Sequence, residues 1–342
     1  MSKTYLVTGG SGFIGSNYVN RLLARGEKVK VFDNLSRNGS QHNLAWLRQT
    51  HGEKSFEFIQ ADVRDETALV DAAKDADVIT HFAAQVAVTS SVTDPRSDFE
   101  INALGTFNAL EAARKSKRSP SFIFTSTNKV YGGMEDMEIE ETATRYKYAN
   151  LPEGVSEERG VDFHSPYGCS KGAADQYVRD YSRIYDIPTS VLRLSCIYGT
   201  RQFGIEDQGW VAWFLIRSTL NEAMSIYGDG KQVRDLLFVD DLMDAFDAVI
   251  SNPDKTAGQI LNLGGGNANS ISVWGELGPM LEELFKRKLN VSYADWRPGD
   301  QRIFVSDIRK AKKVLNWSPK VDVKSGVHKL FDWIQNNKNL FA

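Results

Sequence analysis

Tyr167 and Lys171 stand four residues apart in "SPYGCSKGAADQYV", a segment of helical periodicity, so their side chains share one helix face. A phenol of ordinary pKa about 10 is a poor base near neutrality, but an adjacent ammonium and a cationic nicotinamide ring both favour its phenolate. The pair therefore suits taking a proton from an alcohol while hydride leaves the same carbon. A Tyr and a Lys at this spacing also recur by chance on helix surfaces, so the pair needs company. Some is offered by "TSTNKVYG", Thr125 to Gly132, which ends an apolar run with a hydroxyl, an amide and an ammonium.

The company that matters most is near the N-terminus. "YLVTGGSGFIGSNYVNRLLARG" sets Gly9, Gly12 and Gly15 in the spacing G-x-x-G-x-x-G at a strand-to-helix junction. Missing side chains there let a pyrophosphate approach backbone N–H groups at the positive end of a helix. An ordinary tight turn would also use glycine; this one follows a strand, opens a helix and precedes Asp33, at the end of "KVKVFDN". Asp33 suits an adenosine ribose diol and repels a 2′-phosphate, which favours NAD, while nearby Arg37 leaves NADP open. Asp62 and Val63 end a further strand in "QADV", where a carboxylate and main chain can meet an adenine edge; Asp62 alone reads equally well as a helix N-cap. Ala83 and Ala84 in "HFAAQVA" let a cofactor pass close to backbone, or serve tight strand–helix packing.

These residues require a particular scaffold. The runs "YLVTGG", "KVKVFDN", "FEFIQADV", "DVITHFAA", "SFIFTST" and "PTSVLRLS" are apolar on both faces and alternate with helix-period segments. That pattern predicts a doubly wound α/β fold, a parallel Rossmann-type sheet covered by helices on both sides. After about Arg193 the chain turns to Gly- and aromatic-rich loops, with "LLFVDDLMDAFDAVI" and "QILNLGGG" as segments that return to the sheet. The expected division is a cofactor domain of residues 1–192 plus about 236–262, and a smaller, discontinuous substrate domain of about 193–235 plus 263–342.

Composition narrows the ligand. At 342 residues and 42% hydrophobic the chain supports a substantial core, and a net charge of −3 offers no basic surface for nucleic acid or anionic membrane. A small anionic ligand held by a few placed Arg and Lys is the expectation. Two cysteines, Cys169 and Cys196, suit a reducing compartment and no metal site. "MSKTYLVTGG" lacks the succession of a signal peptide and no apolar run approaches the roughly 18 residues of a membrane span, so a cytoplasmic protein is expected.

Together, "TGGSGFIG", Asp33–Asn34, "HFAA", "NALGTFNALEAAR", "TSTNKVYG", "SPYGCSK" and "RPGD" resemble the extended short-chain dehydrogenase/reductase family, the nucleotide-sugar epimerases and dehydratases, across almost the whole chain. The resemblance implies that Thr127 joins Tyr167 and Lys171 as the catalytic hydroxyl. It extends the cofactor set to Phe13, Ile14, Asn34, Gln85 and Asn102, the last as the family's structural Asn. It makes Arg234 and Arg297 the diphosphate clamp, a role that guanidinium forks fit.

Within the family, dehydratases follow the catalytic Thr with Asp and Glu, which supply the acid and base for loss of water. Here Asn128 and Lys129 stand in those places, and a neutral amide serves as neither, so elimination is disfavoured. Cys196 replaces an Asn common in 4-epimerases and is expected to line the pocket. "RYKYANLPEGVSEERGVDFH" is a long insertion, expected to act as a lid or an oligomer contact. With "RQFG" and "DQGWVAWF", which bring Arg201, Gln208 and Val211 to the substrate side, these features are similar to enzymes that invert C2 of CDP-linked 3,6-dideoxyhexoses for lipopolysaccharide O-antigen. The implied substrate is a nucleotide-diphosphate sugar, CDP-linked, with NAD as cofactor and a homo-oligomer as the assembly. A UDP-hexose 4-epimerase is the nearest alternative. Loss of Tyr167 or Lys171 would mark a non-catalytic scaffold, and both are present.

Overall fold

Six of the apolar runs form strands of one parallel sheet: β1 (Thr4–Thr8), β2 (Lys28–Phe32), β3 (Glu57–Ile59), β4 (Val78–His81), β5 (Ser121–Thr127) and Thr189–Leu194. The computed structural model describes residues 2–297 and 300–341. Pro298 and Gly299 of "RPGD" lie outside the described residues. Gln259–Leu263 adds the seventh strand, and the spatial order is Gln259–Leu263, Thr189–Leu194, β5, β4, β1, β2, β3. All the pairings are parallel. The order reverses between β1 and β4, and a ligand crevice opens beyond the carboxyl ends of the strands at such a switch point.

"QILNLGGG" therefore returns to the sheet, whereas "LLFVDD" does not. Val233–Phe238 pairs instead with Cys196–Tyr198, Ser270–Ser272 and Ile303–Phe304 in a separate small sheet. An apolar strand buried on both faces looks the same in either sheet; its partners decide. The helix after it, Val239–Ser251, docks on the helix Phe13–Ala24 through Phe246 against Tyr18 and through an Arg21–Asp247 ion pair of 2.7 Å.

The helical segment from Pro95 to Lys115 carries a π-helical stretch, Glu100–Leu104, ahead of the helix Gly105–Lys115. The insertion before Tyr167 is tied to the rest of the chain at several points. Its strand Tyr146–Tyr148 pairs with Ile139–Glu141 just upstream. The Arg145 Nε donates to Glu276 at 2.7 Å, the Tyr148 hydroxyl to the Ile303 carbonyl at 2.8 Å, and the Val155 N–H to the Val305 carbonyl at 2.8 Å. No helix among the described residues is long and apolar enough to cross a membrane.

Candidate active site and its cofactor cavity

The glycine loop is built by close approach. A Cβ on Gly9, whose φ is +66°, would sit 2.7 Å from the Ala83 nitrogen, and one on Gly15 would sit 2.1 Å from the Gly9 carbonyl oxygen. Gly9 follows β1 and Ala83 follows β4, so the loop occupies the switch point itself. Gly12 is the N-cap of the helix Phe13–Ala24 and brings no side chain to it, which leaves the helix's positive end open.

One cavity runs from this loop. Gly9, Gly12, Phe13, Ile14, Gly15, Asp33, Asn34, Arg37, Asp62, Val63, Ala83, Ala84 and Gln85 all line it. The Asp33 carboxylate accepts the Ser11 N–H at 2.9 Å and the Leu35 N–H at 2.8 Å. Burial raises its pKa, and these N–H groups work the other way. Asp62 is not a helix N-cap: Asp65 caps Glu66–Ala73 by accepting the Ala68 N–H at 3.0 Å. The Asp62 carboxylate instead holds Arg64 and the Asn34 amide, and the Arg64 hydrogen bond brings its pKa down to about 2. The Ser40 hydroxyl and the Asn43 carbonyl oxygen on the same wall are buried without a protein partner. A glycine cradle open at a helix end, a carboxylate set for a diol and unpaired polar atoms fit an adenosine diphosphate moiety.

Two assignments change here. Asn102, 1% exposed, does not line the cavity; it stands behind it. Its amide accepts the Gln85 N–H at 2.9 Å and donates to the Gln85 carbonyl at 3.0 Å and to Ser170 at 3.1 Å, tying the cofactor wall to the helix Ser165–Tyr185. Arg201 lines this first cavity and not the substrate side, its guanidinium stacked 3.9 Å over the Trp46 ring.

The helix Ser165–Tyr185 carries Tyr167 and Lys171 and is 21 residues long. Thr127 ends β5 beside it, and its hydroxyl acts to lower the pKa of the Tyr167 phenol. Ser91 accepts the Tyr167 backbone N–H at 3.1 Å. All three of Thr127, Tyr167 and Lys171 are buried. The Lys171 ammonium donates to the Thr125 carbonyl at 2.7 Å and lies 4.2 Å over the Phe124 ring, and burial brings its pKa down to about 7. It does not depress the phenol here. Burial pushes Tyr167 up to about 12, with Asp98 adding to the rise. The sharing of a helix face is as expected; the phenolate needs help that the chain's own charges do not give.

A second cavity adjoins the first at Gln208, which lines both. Asn128, Cys196, Arg234 and Arg297 line it. Arg234 Nη2 pairs with Asp300 at 2.7 Å, and Arg297 Nη2 pairs with Asp207 at 3.1 Å while stacking 3.8 Å over Tyr227. Val211 does not line it: on the helix Trp210–Leu220 it is 2% exposed and faces the core, while Trp210, Trp213 and Phe214 take the cavity face at helical spacing. Those aromatics are among the members that sequence reasoning left out, and Lys129, which it singled out beside Thr127 without a role, also lines the cavity. The signal was present in "DQGWVAWF", one residue from Val211.

The chain that carries this glycine-loop cavity, the adjoining cation-bearing cavity and a buried Thr127, Tyr167 and Lys171 has known relatives. The family model described as GDP-mannose 4,6 dehydratase matches residues 6–330. The chain belongs to this family of extended short-chain dehydrogenases/reductases. It is 45% identical, over 96% of its length and 98% of the relative's, to a CDP-paratose 2-epimerase from Salmonella typhi. A UDP-glucose 4-epimerase from Mycolicibacterium smegmatis is 34% identical over 97% of this chain and 98% of that one. Among solved structures, the UDP-glucose 4-epimerase of Thermotoga maritima with UDP-glucose matches at a TM-score of 0.83 and 30% identity, over 98% and 99% of the two chains. The UDP-glucuronic acid 4-epimerase of Bacillus cereus, in complex with UDP-glucuronic acid and NAD, matches at 0.82 and 28%, over 97% and 99%.

The family cradle gives a direct prediction. Gly15→Ala forces a methyl group into the Gly9 carbonyl, an overpacking that costs about 1–3 kcal/mol and displaces the loop. NAD released from the purified variant by acid is expected to fall well below that from the unaltered protein, with the sheet's circular dichroism retained.

Proposed function

We propose that this protein is an NAD-dependent nucleotide-sugar epimerase that converts CDP-paratose to CDP-tyvelose by inverting C2. The observation that carries the reading is the 45% identity, nearly end to end, with a CDP-paratose 2-epimerase. Asn128 and Lys129 beside Thr127 support it, since elimination would need an acid and base pair at those positions.

The first cavity would hold NAD, which would supply reversible hydride acceptance at the sugar carbon. Gly9, Gly12, Phe13, Ile14 and Gly15 hold its pyrophosphate. Asp33, Asn34 and Arg37 take the adenosine ribose, Asp62 and Val63 the adenine edge, and Ala83, Ala84 and Gln85 the path toward nicotinamide. Asn102 braces that wall from behind. Tyr167 takes the proton of the C2 hydroxyl and Thr127 hydrogen-bonds that oxygen, while the hydrogen on C2 itself leaves as hydride to the cofactor, giving a 2-keto sugar. Once the other face of the sugar is presented, Tyr167 gives the proton back. Lys171 holds the nicotinamide ribose, Asn128 orients a neighbouring sugar group, and Arg234 and Arg297 clamp the diphosphate. Cys196 and Gln208 complete the pocket wall.

We assign residues 1–192 and about 236–262 to the cofactor domain and the remainder to the substrate domain. We also assign the enzyme to the cytoplasm, to O-antigen synthesis and to a homo-oligomer. Val92, Phe99, Tyr177 and Ile184 are exposed on helices that pack against one another, apolar groups that a second copy could cover.

The test is to incubate the purified protein, without added NAD, with CDP-paratose and separately with UDP-glucose, and to follow the sugar ring by NMR. Inversion at C2 of the CDP-sugar is expected. Turnover of UDP-glucose alone would replace this reading with 4-epimerisation, and turnover of neither would point to a scaffold.

A further inference from the structure

Lys129 is the cation of the second cavity that the proposed mechanism leaves unused. It lies two positions after Thr127, on the 3-10 turn Asn128–Tyr131, with its backbone N–H donating to the Thr127 hydroxyl at 3.2 Å. Its side chain lines the cavity, and the charged groups that act on its ammonium are Arg234 and Asp300, with the Cys196 thiol beside them. Asp300 is already engaged: it pairs with Arg234 at 2.7 Å. The other carboxylates of the cavity are turned elsewhere, Asp207 to Arg297 at 3.1 Å and Glu206 to the Tyr227 hydroxyl at 3.0 Å. Among the described residues no carboxylate lies within salt-bridge distance of the Lys129 ammonium, which is held, desolvated, near a second cation. Burial and Arg234 bring its pKa down to about 8, as expected of an ammonium whose anion comes from outside the chain.

We infer that Lys129 is a substrate-binding residue that pairs with the phosphate of the nucleotide diphosphate nearest the sugar, completing with Arg234 a two-cation clamp. Two converging cations and one shared carboxylate leave a positive balance that a diphosphate neutralises. The position also bears on which carbon reacts. C2 is bonded to the anomeric carbon that carries the diphosphate, whereas C4 lies across the ring. A turn that supplies both the hydroxyl for the reacting carbon and the cation for the adjacent phosphate spans the short distance that C2 chemistry needs. This inference rests on the nucleotide-sugar reading, and its test is independent of the sugar and of the base.

Binding of CDP, UDP and dTDP, and of the three corresponding monophosphates, is measured by calorimetry on the NAD-loaded protein, on Lys129→Gln and on Lys129→Met. A charge-assisted contact to phosphate predicts a loss of about 10- to 100-fold in diphosphate affinity. Monophosphate affinity is expected to stay within about twofold, because the missing phosphate is the one Lys129 holds. Lys129→Arg keeps the charge and is expected to restore most of the diphosphate affinity; it serves as the control if the neutral variants lose bound NAD or fold poorly. Unchanged diphosphate affinity in the neutral variants would overturn the inference. So would an equal loss for mono- and diphosphates, which makes Lys129 a prop of the nucleoside pocket, or poor binding by the Arg variant. Preference for UDP or dTDP with the same dependence on Lys129 would keep the inference and remove the cytidine assignment instead. A protein that binds none of the three diphosphates would overturn both.

Discussion

Tyr167→Phe is expected to lower epimerase turnover by about two to four orders of magnitude, the range that one positioned acid–base group contributes. The substitution removes one oxygen and little else. Tyr167 is 8% exposed, and its backbone N–H, which Ser91 accepts, is unaffected by the change. Bound NAD and thermal midpoint should therefore stay close to those of the unaltered protein, which separates a chemical defect from a structural one. The pH dependence has a definite sign. The working base is the phenolate, and burial pushes the phenol up to about 12 in the protein alone, so at neutral pH the deprotonated form is the minority. Lowering the pH removes more of it, so kcat should fall on the acid side and rise toward alkaline pH. That limb should vanish from whatever activity Tyr167→Phe retains. Turnover within about threefold of the unaltered enzyme would exclude Tyr167 as the base.

The cause of that high pKa separates what the sequence reveals from what it hides. Spacing alone places Tyr167 and Lys171 on one helix face, because an α-helix has a fixed period. It cannot say where a long flexible ammonium goes, and the Thr125 carbonyl and Phe124 ring claim it. The glycine loop was legible for the opposite reason: Gly9 and Gly15 answer to backbone contacts only a few residues or one strand away, so the constraint is written in residue type. The six sheet strands were legible because burial on both faces demands continuous apolar runs. Arg201 was not, because its left-handed backbone, φ 69°, turns the loop toward the first cavity, and nothing in "RQFG" announces that turn. Asn102 illustrates a third limit. Its motif identifies a residue that matters near the cofactor but not which side of the wall it occupies, and the difference separates a ligand contact from a brace. The insertion is a fourth: its length marked it as a lid or an oligomer contact, and Arg145, Tyr148 and Val155 give their hydrogen bonds to distant segments that no local pattern reveals.

The same reasoning identifies the buried group whose loss should cost the fold most. Asp175, one helical turn beyond Lys171, is fully buried and meets Arg193 in a two-pronged pair, Nε to Oδ2 at 2.9 Å and Nη2 to Oδ1 at 3.0 Å. Ser126 donates to the same carboxylate at 2.7 Å, so the pair binds the catalytic helix to β5 and to the strand Thr189–Leu194. From Arg193 the network passes to the Tyr131 hydroxyl at 3.0 Å, on to Asn262 at 2.8 Å, and from the Asn262 amide to the Val155 carbonyl of the insertion at 2.8 Å. Asp175→Ala strands the buried Arg193 guanidinium without its counter-charge, and breaking a buried pair in this way costs about 3–5 kcal/mol. A fall of roughly 5–15 °C in the thermal midpoint is expected, with the insertion becoming more open to protease than the glycine loop. Arg193→Met together with Asp175→Leu removes both charges and is expected to recover a large part of that loss, because the penalty comes chiefly from the orphaned charge and not from the missing attraction. If Asp175→Ala shifts stability by less than about 1 kcal/mol, the pair is dispensable and the helix that carries Tyr167 is held by its apolar face and its bonds to Ser91, Asn102 and Thr125.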